Sequence, residues 1–262
     1  MSYGEPWYRQ TGDAVVVEDT LRVIELNVIN NCNRACSFCP HVMDDYMHKT
    51  GRMTMNVVDA IVRRIKEYQF TNVISICGYG EPLLHTQMPE IISKLNTTDG
   101  FIELMSNGDL LTLDKVNEFY KSGLDMLNVS IYDQESDEKV AELLSNFDDT
   151  KYILRKRYNV DVPLVDRIGM LRSPVSVNAG ACYFPSYKMM VDVDGQVLLC
   201  CNDWSREETF GNLLNDSIER VWIHNMNSRR MDLIEGNRRN VCATCNVQGT
   251  LHGQESVKMF MR

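Results

Sequence analysis

Cys32, Cys36 and Cys39 stand in one short run, Cys-Asn-Arg-Ala-Cys-Ser-Phe-Cys-Pro. Their spacing lets a single loop bring three thiols onto one metal centre. Tetrahedral zinc wants a fourth ligand close by, whereas soft thiolates also select iron–sulfur clusters. Three thiolates can hold three irons of a 4Fe–4S cluster and leave the fourth open to a small molecule. A second set lies far along the chain at Cys182, Cys200 and the Cys-x2-Cys pair Cys242 and Cys245. Four thiols around one centre close it to substrate, which suits electron transfer or structure, and a structural zinc remains an alternative there. Cys77 and Cys201 are left over. Cys77 falls on an apolar strand and reads as a packed thiol, while Cys201 competes with its neighbour Cys200 for the ligand role.

The elements around these residues follow from periodicity. Leu21 to Ile29 alternates, with Ile24, Leu26 and Val28 on one side and Glu25 and Asn27 on the other, so a strand leads into the three-thiol loop. Thr54 opens a helix to about Tyr68 with Val57, Val58, Ile61, Val62 and Ile65 in one stripe. Strands at 72–77, 101–105 and 125–131 alternate with helices at 86–95, from Thr112 to Gly123, and at 135–146. Further strands are expected at 151–158 and 162–170. This alternation predicts parallel β/α units. Lys188 to Cys200 reads as a hairpin turning at Asp194-Gly195. Asp216-x-x-Glu219 has the form of a capping box opening a helix with Ile218, Trp222 and Met226 on one side, ending by Gly236.

The three-thiol run, with Phe38 just before its last cysteine, resembles the signature of the radical S-adenosylmethionine (SAM) superfamily. Gly78-Tyr79-Gly80-Glu81-Pro82 is similar to that family's Gly-Gly-Glu-Pro element, with Tyr79 where glycine is usual. The resemblance implies that Gly78, Tyr79, Gly80 and Glu81 meet the SAM amino group. It also implies that Ser106 and Asn107 turn close to SAM, and that Ser130 contacts ribose or carboxylate. Cys182-x12-Gly195-x4-Cys200 followed by one Cys-x2-Cys resembles the family's shortened SPASM module, the twitch domain, which implies one auxiliary 4Fe–4S cluster on Cys182, Cys200, Cys242 and Cys245. The implied cofactors are two 4Fe–4S clusters and SAM. The implied fold is α/β: a partial (β/α)6-type barrel with a truncated last unit, and a small hairpin-plus-helix domain. The expected division is a cover segment at 1–20, the barrel at 21–172 and the auxiliary domain at 173–262.

The implied activity is reductive cleavage of SAM to a 5′-deoxyadenosyl radical, then hydrogen abstraction from a small polar substrate. An auxiliary cluster that accepts the second electron makes this a dehydrogenation of a sugar or aminocyclitol. Modification of a ribosomally made peptide is the second reading, and a non-enzymatic iron–sulfur or zinc protein the third. Candidate substrate contacts are Arg167, expected on the sixth strand, and Asn202 and Asp203 after the hairpin. Arg229, Arg230, Arg238 and Arg239 form a basic run that either offsets cluster charge or faces solvent, with solvent favoured. His41 is expected to pack on the cluster loop. A ferredoxin- or flavodoxin-type donor is the expected redox partner.

Composition sets the outer bounds. The 262 residues, 44% hydrophobic and 24% charged, suit one large domain or one with a small appendage. A net charge of −9 argues against broad nucleic-acid or anionic-membrane binding. The sequence has no run of eighteen apolar residues, and Met1 to Asp19 lacks the pattern of a secretory signal. Nine cysteines in such a chain point to metal or redox chemistry in the cytoplasm.

Overall fold

Parallel strands buried on both faces need helices over one face and partners for whatever lines the other. The computed structural model describes residues 9–11, 14–16, 21–158, 165–171, 176–177 and 180–247. Within the expected cover segment, β1 (Arg9–Thr11) and β2 (Ala14–Val16) pair antiparallel; the rest of 1–20 lies outside the described residues. Then follow β3 (Val23–Asn27), α1 (Met55–Tyr68), β4 (Val73–Cys77), α2 (Met88–Leu95), β5 (Phe101–Ser106), α3 (Leu113–Lys121), β6 (Met126–Ile131), α4 (Gln134–Leu144) and β7 (Tyr152–Lys156). Strands β3 to β7 lie side by side and parallel. Ile24 and Leu26 share a buried core with Val58, Ile61 and Ile65 of the α1 stripe and with Ile91 and Leu95 of α2.

The other strand face is buried and polar. Glu25 and Asn27 of β3, Ser75 of β4, Glu103 of β5 and Asn128 of β6 are all nearly inaccessible. They persist there because they bond to one another or to a neighbour: Asn128 Nδ2 donates to Glu103 Oε2 at 2.8 Å, and Lys188 Nζ pairs with Glu25 Oε1 at 2.7 Å. Cys77 is buried, as expected of a packed thiol, but its setting is polar: its Sγ lies 3.6 Å from Glu25 Oε1, and it borders the cleft described below.

The hairpin forms from β8 (Lys188–Val191) and β9 (Gln196–Leu198), with Gly195 at φ +85° in its turn. β10 (Thr209–Asn212) adds a third antiparallel strand. β8 also pairs in parallel with β3, Val23 opposite Lys188 through Leu26 opposite Val191. The result is one eight-stranded sheet in the order β10-β9-β8-β3-β4-β5-β6-β7, so the hairpin extends the main sheet. The strand expected at 162–170 is not found where it is described: 162–164 lie outside the described residues, and Asp166 to Met170 form a turn with Arg167 at φ +51° and Ile168 at φ +60°. The capping box is also corrected. Asp216 Oδ2 accepts from the Asn212 N–H, and Ser217 Oγ caps the helix by accepting from the Arg220 N–H. That helix runs through a π-helical turn, Arg220–Asn225, into α5 (Asn227–Ile234), and Gly236 at φ +82° follows it.

Candidate metal and cofactor centre

The C-terminal ends of β3, β4, β5 and β6 converge on one cleft. The loop after β3 supplies Cys32, Cys36, Phe38 and Cys39. Gly78 to Glu81 follow β4, Ser106 and Asn107 end β5, and Ser130 and Tyr132 end β6; Arg167 and Trp204 complete the wall. Every residue singled out for the first centre and its small-molecule ligand therefore borders a single space.

The three-thiol loop is pinned by its own side chains. Arg34, between Cys32 and Cys36, forks onto Asp109, with Nε donating to Oδ2 at 2.6 Å and Nη2 pairing with Oδ1. It also reaches Asp133 at 3.2 Å and lies over the Tyr132 ring. Such a bidentate pair fixes direction as well as distance. Phe38 stacks on Tyr132 at 5.4 Å.

In Gly78-Tyr79-Gly80-Glu81 the two glycines pass so close to the end of β3 and the start of that loop that neither has room for a Cβ. A Cβ on Gly80 would meet Ile29 O at 2.3 Å and Asn31 O at 2.4 Å, and Glu81 N–H donates to Asn31 O at 2.8 Å. A Cβ on Gly78, at φ +133°, would strike Asn27 Oδ1 at 2.5 Å. Glu81 is buried and its carboxylate is already engaged: Oε1 accepts from Leu83 N–H at 3.0 Å and Ser106 Oγ–H at 2.8 Å, and Oε2 from Asn107 N–H at 2.8 Å. Burial pushes its carboxyl up, against these three bonds, which favour the charged form. Glu81 thus braces the turn after β4 to the turn after β5. His41, expected on the cluster loop, reaches across to the loop after β4, its Nε2 lying 2.7 Å from Tyr79 O, edge-on to Tyr46 and Trp204.

The second thiol set gathers at the far side of the hairpin. Cys182 and Cys242 are buried with Leu199, Leu233 and Val241. Cys182 and Cys242 oppose ionisation of Cys200, Cys245 and Cys182 oppose that of Cys242, and Cys182 opposes that of Cys245. Burial dominates throughout and pushes the Cys242 thiol up to about 12, so loading this set with metal must release protons. Cys201 looks elsewhere. Burial pushes its thiol up to about 11, its charged neighbours are Glu25, Lys188 and Arg167, and it packs beside Tyr79, Met190 and Trp204.

The basic run proves to be mostly buried or bonded to protein. Arg229 pairs with Glu208 at 2.7 Å and donates to Arg239 O, and its charge favours the Cys182 and Cys242 thiolates. Arg238 donates to Gly180 O and Ala181 O and favours the Cys182 and Cys245 thiolates. Arg230 is buried over the Trp222 ring, donating to Pro185 O and Trp222 O. Arg239 is exposed, paired with Asp232, as solvation predicts; for Arg229, Arg230 and Arg238 solvation fails because the local sequence does not reveal that the end of this helix and the segment after it pack against the thiol set.

Both donor sets fit iron–sulfur clusters. Each is made of cysteines alone, the soft-ligand set that such clusters take. A repeated local geometry adds to this: the backbone N–H two residues on is aimed at the sulfur of Cys32 (from Arg34, 3.5 Å), Cys200 (from Asn202, 3.4 Å) and Cys245 (from Val247, 3.4 Å). The same amide bond reaches Cys39 from His41 and Cys182 from Phe184. Amide donors stabilise thiolate sulfur and tune cluster potential.

Of the substrate candidates, Arg167 and Asn202 come together, Arg167 Nη1 donating to Asn202 Oδ1 at 2.8 Å. Arg167 Nε is buried without a partner among the described residues. Asp203 does not reach the cleft: it is fully buried and its carboxylate accepts from Ser205 Oγ–H, Glu207 N–H and Glu208 N–H. Trp204 and Arg206 carry no sequence signal of their own. Trp204 is the fifth residue of a cysteine-led turn, and only the folded chain sets it against Tyr79, ring centroids 4.7 Å apart.

Residues 26–173, more than half of the chain, match the family described as the Radical SAM superfamily. Residues 182–246 match the iron–sulfur cluster-binding domain called SPASM. The chain is 28% identical over 239 residues to the S-adenosyl-L-methionine-dependent 2-deoxy-scyllo-inosamine dehydrogenase of Niallia circulans, covering 86% of this chain and 92% of that one. It is 32% identical over 117 residues to the GTP 3′,8-cyclase of Xanthomonas axonopodis pv. citri, 42% of this chain and 34% of that one. Among solved structures, BtrN in complex with AdoMet and 2-DOIA is similar with a TM-score of 0.77 at 25% identity, over 87% of this chain and 94% of that one. Native anSMEcpe with bound AdoMet shares the fold, with a TM-score of 0.61 at 13% identity over 84% of each chain.

Proposed function

The chain belongs to the radical SAM superfamily, and from that premise we propose that it dehydrogenates a hydroxyl-bearing ring of the aminocyclitol type. It is an oxidoreductase-type radical SAM enzyme whose cofactors are SAM and two iron–sulfur clusters. One observation carries the substrate reading: Arg167 and Trp204 wall the same cleft as the three-thiol loop, while Trp204 and Arg167's partner Asn202 sit on the turn that begins with Cys200. A substrate in that cleft lies between the two thiol sets. The near-complete coverage of a dehydrogenase named for an aminocyclitol supports the same class.

Cys32, Cys36 and Cys39 would hold the SAM-binding cluster, and Cys182, Cys200, Cys242 and Cys245 the auxiliary one. Bound there, the groups would supply a 5′-deoxyadenosyl radical to take hydrogen from carbon and an acceptor for the electron left behind, while the hydroxyl proton would pass to a base of the surrounding water or buffer. The chain's own part is placement. Gly78, Tyr79 and Gly80 present backbone to the SAM amino acid end, Glu81 holds that backbone still, and Ser106, Asn107 and Ser130 border the nucleoside side. Phe38, stacked on Tyr132, closes the loop over the centre. The Arg167 guanidinium, which lines the cleft, would donate to a substrate oxygen once its buried and unpaired Nε–H turns outward; Asn202 aims it, and Trp204 lies beneath it at 5.8 Å. Aromatic walls also exclude water from the radical.

The residue ranges 21–172 and 173–262 serve as functional units, one for SAM and one for the auxiliary cluster, although their strands share a sheet. A ferredoxin- or flavodoxin-type protein as electron donor is part of the same proposal. No helix among the described residues is long and apolar enough to cross a membrane, and thiolate ligands favour the reducing cytoplasm.

Holoprotein reconstituted without oxygen, given SAM, dithionite and 2-deoxy-scyllo-inosamine deuterated at its carbinol carbons, is expected to pass deuterium into 5′-deoxyadenosine and yield a ketone. Unlabelled 5′-deoxyadenosine with no ketone would reject the aminocyclitol class. Gly80→Ala tests the SAM loop. Its methyl group cannot enter without moving the backbone of 29–31, so SAM affinity is expected to fall by about a hundredfold, the loss of two or three ligand contacts. Equilibrium dialysis measures it, and unchanged affinity would remove the loop from the site.

A further inference from the structure

Tyr79 stands where the resemblance leads one to expect glycine, and the structure shows what holds it. Its N–H donates to Asn27 Oδ1 at 3.0 Å, its hydroxyl donates to Asp203 O at 2.9 Å, and the Arg206 guanidinium lies over its ring at 4.4 Å. Tyr79 therefore bolts the loop after β4 to the turn that carries Cys200.

Arg206 stands at the centre of a closed ring of bonds. Its Nε donates to Asp192 Oδ2 at 2.6 Å and its Nη2 to Asn30 Oδ1 at 2.9 Å. Asn27 Nδ2 reaches both of the same partners, Asp192 Oδ1 and Asn30 Oδ1, each at 2.6 Å. Nη1 adds Tyr46 Oη and Trp204 O, both at 2.9 Å. Asn27 ends β3, Asn30 lies two residues before Cys32, and Asp192 follows β8, so the ring joins the cluster loop to the auxiliary module. Asn27, Asn30 and Asp192 are buried and Arg206 nearly so. Such a network is strong when complete and costly when one member is lost. Arg206 holds it from a left-handed backbone, φ +59°, a conformation a non-glycine residue keeps only when its surroundings impose it.

Arg206 does not border the cleft. It reaches the SAM loop through the Tyr79 ring, through Trp204 packed on Tyr79, and through Asn27, whose Oδ1 sits where a Cβ on Gly78 would stand. We propose that Arg206, from within the auxiliary module, positions the Gly78–Glu81 loop, so that SAM affinity depends on the ring that ties the two modules together. The inference rests on that loop binding SAM and is independent of the substrate.

The test is equilibrium dialysis of SAM against oxidised, cluster-loaded holoprotein, with no turnover, alongside iron content and the electron paramagnetic resonance spectrum of the reduced protein with and without SAM. Arg206→Gln is expected to keep the iron of both clusters and bind SAM about tenfold more weakly, with Arg206→Lys recovering part of the loss. The SAM-induced change in the spectrum should shift to correspondingly higher SAM. Lower thermal stability with SAM affinity within about twofold of the parent would make Arg206 merely structural and overturn the proposal. If Arg206→Gln does not load with iron, Asp192→Asn, which keeps the shape and removes the counter-charge, decides by the same measurement. Gly80→Ala separates the two claims. If it binds SAM normally, the loop assignment is at fault. If it fails to bind while the Arg206 and Asp192 variants bind normally, the positioning role is wrong.

Discussion

Cys36→Ala, reconstituted with iron and sulfide under nitrogen, is expected to hold about four irons where the parent holds about seven to eight, and to release no 5′-deoxyadenosine from SAM. The reasoning is one of ligand count. The loop after β3 offers three thiols, and a SAM-binding cluster needs one iron left open, so no protein ligand is spare. The nearby carboxylates give no substitute, since Asp109 and Asp133 are tied to Arg34 and Glu81 has both oxygens engaged, and the other thiol at the cleft, Cys77, is buried on β4 beside Glu25. His41, the nearest imidazole in sequence, has its Nε2 on Tyr79 O. The change is local because Cys36 is only partly buried and fills no core position. The fold and the second thiol set should therefore survive, and the remaining iron should stay redox-active. Full iron content with undiminished SAM cleavage would mean that Cys36 is not a ligand, and the reading of the centre would fail with it.

That centre was legible because its chemistry is written in spacing alone. Cys32, Cys36 and Cys39 fall within one loop, and the strands on either side announce themselves by alternation, Ile24 and Leu26 against Glu25 and Asn27. Glu81 was legible as a functional position but not in its role. A carboxylate in a glycine-rich turn suggests a free ligand for an ammonium, and only the fold reveals that Ser106 and Asn107 consume it. Arg167 was placed on a strand because its neighbours are apolar, yet two consecutive residues at positive φ put it in a turn. β8 shows a different limit. The Asp194-Gly195 turn specifies its antiparallel partner β9, but nothing local specifies the parallel pairing with β3, which needs no turn. The ring around Arg206 is the extreme case: its members come from positions 27, 30, 192 and 206, and no short window contains the pattern.

The choice between Cys200 and Cys201 shows how far geometry carries where spacing stops. Cys200 faces Cys182 and Cys242 and accepts the Asn202 N–H at 3.4 Å, as four other thiols assigned to the clusters accept their own amides. The Asp203 N–H, two residues beyond Cys201, donates to Cys200 O at 3.1 Å, and Cys201 packs with Tyr79, Met190 and Trp204, with Glu25 and Lys188 as charged neighbours. The two thiols thus have different charged neighbours, Cys182 and Cys242 beside Cys200 and Glu25, Lys188 and Arg167 beside Cys201, which assigns Cys200 to the four-thiol set. Cys200→Ala is accordingly expected to lose about four irons. It should still cleave SAM, because the cleft loop is untouched, but give 5′-deoxyadenosine with almost no oxidised product. Cys201→Ala should keep both clusters and their resonance spectra. If Cys200→Ala instead retained all its iron while Cys201→Ala lost half, the turn would have to present the opposite thiol, and Trp204 would no longer wall the cleft with Asn202 behind Arg167 as described. Measuring iron, sulfide and the ratio of 5′-deoxyadenosine to oxidised product in the same two variants therefore tests the ligand set and the reach from cleft to second cluster together.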